Sequence, residues 1–260
     1  MTGSISLIGM ACSAVLIVVV VLISLRWHLG LERTVVWAAV RAVVQLSVIG
    51  LALKLVVDPG EPVVWSWLWV VAMLVFAGWT AHRRAPDVPG VATLTMAAYT
   101  VAVAVTLGVL FGLRVFEANG RTIVPLTGLV VGNSIGATVL VGRRITDEMR
   151  DKREEVEARL ALGLPGPQAA RPYVRGAVRT ALVPQIETTK AVGIVFLPGA
   201  MVGLILAGAD PLQAVRVQVA VMYLVLGSVA MTTSVVAIGL ERRLITPDHR
   251  LVPLAPRGVN

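Results

Sequence analysis

Arg41 and Gln45 stand one helical turn apart in a run, about 34–57, that is otherwise almost wholly apolar. Asn133 lies in a second such run beside Ser134, among Gly128, Gly132 and Gly136 spaced every four residues. Gln218 enters a third, two residues after Arg216. A charged group at bilayer depth costs roughly 3 kcal/mol on insertion scales, so residues of this kind need a reason to be there. One guanidinium and three amides suit a polar path, where side chains replace a solute's water. The bland readings are that Arg41 snorkels to the nearer interface, that the glycines allow close helix packing, and that Asn133 bridges helices. A fourth run carries Leu197-Pro198-Gly199-Ala200-Met201 and then Gly203. Pro198 cannot donate to a helix ladder, and a broken helix is tolerated in a membrane where it packs in protein or lines a cavity. Arg41, Gln45, Asn133 and Gln218 are the candidates for the path, with Pro198, Gly199 and Gly203 supplying the break. Transport is the natural reading.

Other chemistries lack their residues. No G-x-x-x-x-G-K-[ST] occurs, and none of the three lysines precedes Ser or Thr, so ATP hydrolysis is not expected of this chain. His28, His82 and His249 all fall outside the apolar runs, which disfavours a buried Ser–His hydrolase or a histidine metal site. The single cysteine, Cys12, excludes an internal disulfide and reads as a small buried hydrophobe. A retinal protein would need a lysine in the last run, which has none; a seven-span receptor has no support beyond the span count.

The elements that must position these residues follow from composition. The chain of 260 residues is 57% hydrophobic and 15% charged, where a globular chain carries about 25% charged residues. Its apolar runs approach the roughly 20 residues that cross a bilayer. The expected fold is all-α and polytopic, with spans at about 5–25, 34–57, 63–80, 91–113, 122–142, 190–208 and 212–239. The first is not expected to be a cleaved signal, since no basic residue precedes it and Arg26 follows. With the 143–189 loop in the cytoplasm, 18 of the 23 basic residues fall inside and only Arg114 and Arg121 outside. That places the amino terminus outside and the carboxyl terminus inside a plasma or inner membrane. The net charge of +8 then belongs to a face meeting anionic lipid, not nucleic acid.

Residues 143–163 contain no Pro, and no Gly before Gly163, with Ile145, Met149, Val156 and Leu160 on one side. The pattern predicts an amphipathic helix, continuous with the fifth span. Gly163-Leu164-Pro165-Gly166-Pro167 forces a turn. A second helix is expected over about 168–183, ended by Pro184. This hairpin could be a solvated loop, a lipid-surface element or a docking site; the apolar stripe favours docking.

Several stretches together resemble the FetB-type permeases, which include a bacterial iron-export ABC permease and plant aluminium-tolerance permeases. They are Arg41-Ala-Val-Val-Gln45-Leu46, Val131-Gly132-Asn133-Ser134, Glu155 to Gly163, and Val192-Gly193 through Leu197-Pro198-Gly199-Ala200-Met201 to Pro211-Leu212. The resemblance covers most of the chain and is strongest over about 125–225. It implies one transmembrane permease domain over 1–260, paired with a second copy and with a separately encoded ATPase that carries ATP and Mg. This chain itself would hold no cofactor. Helices at about 143–185 would meet the ATPase, through Ile145, Met149, Val156, Glu157, Leu160 and Gly163. Val202 and Leu204 stand where many bacterial members carry Thr and Gln, which leaves the solute open between iron, another metal ion and a nucleotide sugar. An ATPase-independent carrier or channel is the competing class.

Overall fold

The computed structural model describes residues 7–56, 62–194, 197–246, 248 and 250–254, with side chains left undescribed at 7–11 and 52–56. His249, the Lys54 side chain and the extreme ends of the first two predicted spans therefore lie outside the described residues. Among those residues the fold is all-helical: α1 (Leu7–Arg26), α2 (Glu32–Val56), α3 (Val63–Arg84), α4 (Val91–Gly112), α5 (Gly120–Asp151), α6 (Arg153–Ala161), α7 (Gly166–Ala191), α8 (Gly199–Leu206) and α9 (Pro211–Leu244). An isolated bridge joins Ile245 to Leu251. Among the described residues, five helices are long and apolar enough to cross a membrane: α2 over Glu32–Leu51, α3, α4, α5 and α9.

Helix ends follow local chemistry. Asn119 caps α5, its Oδ1 accepting from the Thr122 backbone N–H at 3.2 Å while Thr122 returns the bond. At the end of α6, Gly163 adopts φ 83°; its N–H bonds the Leu160 carbonyl and that of Leu164 bonds the Arg159 carbonyl. This is a Schellman turn, and it gives Gly163 a conformational reason to be glycine. The same device recurs at Gly208, φ 91°, after α8. Two residues on, Asp210 Oδ2 accepts from Gln213 N–H at 3.0 Å and Pro211 opens α9.

Helices α3, α4, α5, α7 and α9 pack on one another, and two apolar clusters lie along the bundle. One holds Val70, Tyr99, Leu107, Ile123 and Val225. The other joins the ends of α5 and α9 to the α6–α7 hairpin through Ile145, Met149, Val156, Val174 and Leu240, with Leu251 of the returning tail. Arg243 fastens α9 to the α3–α4 turn, donating to the Gly90 carbonyl at 3.1 Å and to Thr93 Oγ1 at 2.9 Å. Arg143 donates to the Arg84 carbonyl in the same region.

The α1–α2 hairpin behaves differently. Its turn is held by Ser24, whose hydroxyl donates to Glu32 Oε1 at 2.7 Å and accepts from Leu31 N–H. Yet no residue of α2 between Glu32 and Leu51 is buried. Cys12, expected as a buried hydrophobe, is exposed on α1.

Two expectations about helix limits are corrected. Pro184 does not end the second hairpin helix: α7 runs through Pro172 and Pro184 to Ala191. A proline inside a helix costs about 3 kcal/mol. Here both prolines are exposed, while the helix that carries them buries Ala169, Ala170, Val174, Ala177 and Ala181. The segment 143–163 is not one helix either. It breaks at Lys152 (φ −107°, ψ 27°), and α6 then packs Val156 and Leu160 into the same cluster as Met149. The sixth span, expected over 190–208 with a break, is interrupted between the end of α7 at Ala191 and the start of α8 at Gly199.

Candidate transport site

The break in the sixth predicted span is where the sequence put it, but wider. Pro198, with ψ 144°, is the residue that caps α8, and Gly199 is its first helical residue. The chain already leaves the helix at Val192, and Gly193 takes φ 88°, a left-handed conformation suited to glycine. Gly193 is thus a stop signal that the sequence reading passed over. A glycine five residues before a proline was the available cue. Gly203 is not part of the break; it lies inside α8 with open space beside it. At 8 residues α8 is about 12 Å long and cannot cross a membrane alone. Before the break, Lys190 Nζ and Glu187 Oε1 form an exposed ion pair at 2.9 Å.

The four polar path candidates do not meet within one chain. Arg41 and Gln45 are exposed on α2, which packs on α1. Asn133 is exposed on α5, and its Nδ2 donates to the Leu129 carbonyl one turn back at 2.8 Å. Beside it Gly132 and Gly136 face open space. Gln218 alone is buried, and its Oε1 has no hydrogen-bond partner among the described residues. An unpaired amide oxygen in an apolar interior costs about 1–3 kcal/mol, a cost that a functional role would explain.

Other polar groups are buried between the helices. The Tyr99 and Thr138 hydroxyls bond one another at 2.7 Å between α4 and α5. On α3, α4 and α5, Ser66, Thr106 and Thr127 carry buried hydroxyls without partners among the described residues. No group of three or more His, Cys, Asp or Glu side chains able to hold a metal ion occurs among the described residues.

The hairpin residues expected to grip an ATPase are placed otherwise. Ile145, Met149 and Val156 are 0% exposed and Leu160 is 7%. They cannot form a docking stripe, because the chain's own α7, α9 and tail cover them. An apolar stripe specifies burial, but not by whom. What the hairpin shows to solvent is polar. Glu157 pairs with Arg153 at 2.8 Å, and Arg159 with Glu155 at 3.0 Å. The neighbouring Tyr173 hydroxyl, and after it Arg159, hold the Glu155 carboxyl below the usual range. Beyond them the turn carries Leu162, 83% exposed, and Gly163.

A stack of long apolar helices with basic ends defines a multi-pass membrane protein. The chain belongs to the uncharacterised protein family UPF0014, whose model matches residues 7–245. It is 30% identical over 244 residues to the probable iron export permease protein FetB of Escherichia coli, covering 94% of each chain. To the UPF0014 membrane protein STAR2 of rice it is 36% identical over 225 residues, 85% of this chain and 79% of the relative. The ALUMINUM SENSITIVE 3 protein of Arabidopsis thaliana is 34% identical over 226 residues, 86% of this chain and 81% of the relative. No solved structure matches.

Proposed function

We propose that this chain is the membrane-spanning subunit of an ABC transporter. It exports a metal ion, with iron the first candidate, and draws on ATP hydrolysis by a separate subunit. Two copies work together. The path has seven crossings: α1 to α5, then α7 with α8 as one interrupted crossing, then α9. The amino terminus is outside and the hairpin inside.

The observation that carries this reading is how the hairpin is built. Helix α6 and the start of α7 are joined to α5 and α9 through Met149, Val156, Val174 and Leu240, so they form a rigid extension of the crossing helices. A free loop would absorb a push from outside; a packed one passes it on. Its exposed turn, with Leu162, Gly163 and Glu157, is the surface that meets the ATPase. Similarity to an iron-export permease over 94% of the chain supports iron as cargo. The separation of Arg41 and Gln45 from Asn133 supports a paired arrangement in which α2 of one copy approaches α5 of the other. A different small solute, such as a nucleotide sugar, would use the same frame.

Inside-out vesicles holding this chain and its ATPase should accumulate ferrous or ferric iron only when ATP is supplied. Iron movement that proceeds equally without ATPase or ATP would instead make the chain a self-sufficient carrier or channel.

A further inference from the structure

Along one side of the bundle, α7 and α9 leave a groove of about 670 Å³. Its two ends differ in chemistry. Toward the start of α7 stand Arg175 and Arg179, one turn apart and exposed. Further along α7 the wall is Leu182, Val183 and Ile186, faced by Ile238 of α9. From Arg179 to Ile186 this apolar stretch runs roughly 10 Å at 1.5 Å per residue. Glu187 and Lys190 close the far end, and their ion pair cancels both charges there. Neither Arg175 nor Arg179 has a carboxylate within ion-pair distance among the described residues. The groove therefore carries two uncompensated positive charges at one end of an apolar trough.

We propose that this groove binds an anionic phospholipid, its phosphate held by Arg175 and Arg179 and one acyl chain laid along Val183 and Ile238. The guanidinium fork matches phosphate oxygens and sheds its water more readily than an ammonium does. The order of the two chemistries is that of a bilayer. The arginines lie at the end nearer the α6–α7 turn, and the apolar walls run on toward the break that follows Ala191. Basic pockets between membrane helices on the cytoplasmic side are a recognised form of anionic-lipid site. The leaflet rests on the orientation proposed above; the site itself depends on neither cargo nor ATPase.

The purified full chain would be placed in phosphatidylcholine vesicles containing a small fraction of phosphatidylglycerol with a photoreactive acyl chain. Peptides covering 178–190 and 234–238 should be labelled. The R175Q/R179Q variant should lower labelling roughly tenfold or more. V183W keeps both charges but fills the trough, and should lower labelling as well. Both arginines are exposed, so an unchanged melting curve separates this loss from unfolding. Equal labelling by photoreactive phosphatidylcholine would overturn the proposal, as would labelling that survives R175Q/R179Q. Displacement by soluble glycerol phosphate would make it a site for a free anion, and cross-linking of two copies through these peptides would make it an interface; either result overturns it. Labelling only from the opposite leaflet would support the lipid site while removing the orientation.

Discussion

The α1–α2 hairpin and the α3–α9 bundle are both rich in apolar residues, yet only the bundle has an interior. Val43 and Leu46 of α2 are as hydrophobic as Val130 and Leu240, but the first two are exposed and the last two are 0% exposed. Apolar side chains of α2 stay at least partly exposed within the single chain, while those in the two clusters of the bundle cover one another. The difference teaches that hydropathy finds membrane helices without saying which of them pack. It also separates two kinds of polar residue. Gln218 is enclosed by the chain's own helices, whereas Arg41 and Gln45 are exposed.

The sharpest way to break this comparison is to truncate one residue from each region. Met149→Ala, in the arm of α5 that packs with α6 and α7, should cost about 2–5 kcal/mol and visibly lower the melting temperature in detergent. Leu46→Ala should change stability by less than about 0.5 kcal/mol. Equal losses in the two variants would mean that α2 is packed in the working protein. Asp210→Ala, which removes the cap between α8 and α9, should cost about 1 kcal/mol by the same melting assay. Gln218→Leu removes an amide whose oxygen is already unpaired, so stability should stay within about 1 kcal/mol of wild type or rise. Transport by that variant should fall, as it should for Gln45→Leu and Asn133→Leu; wild-type rates in all three would dissolve the polar path.

The smallest effect belongs to the hairpin surface. Because the Glu155 carboxyl is held below its ordinary value of 4.5 when folded, its ionised form favours the folded hairpin. That contribution is complete above about pH 4.5 and is lost as pH falls through the lowered value. Glu155→Gln should flatten the acid limb of a hairpin-opening curve followed by hydrogen exchange at 153–163, with little change at neutral pH.

Much of this was legible in the sequence for stated reasons. Pro198-Gly199 announces a helix boundary, because one cannot donate and the other resists ordering. Gly163 announces a turn that needs positive φ, and Gly208-Ala209-Asp210-Pro211 announces a stop followed at once by a start. Pro184 misleads because a local rule was outweighed by the burial of Ala177 and Ala181 along the same helix. Met149 and Val156 mislead differently: their spacing predicts a buried face correctly, but the covering partner is α7 and α9 of the same chain. The isolation of α2 had no signal at all, since a lipid-facing helix and a packed one can share one composition.

The most direct test of the central claim is ATP hydrolysis by the candidate ATPase, a P-loop protein without membrane spans, reconstituted in vesicles with and without this chain. Hydrolysis should rise only when this chain is present, and rise further with iron. Leu162→Asp, at the exposed turn, should abolish the rise while the permease stays folded. Hydrolysis that is indifferent to the chain, to Leu162 and to every solute would contradict the claim.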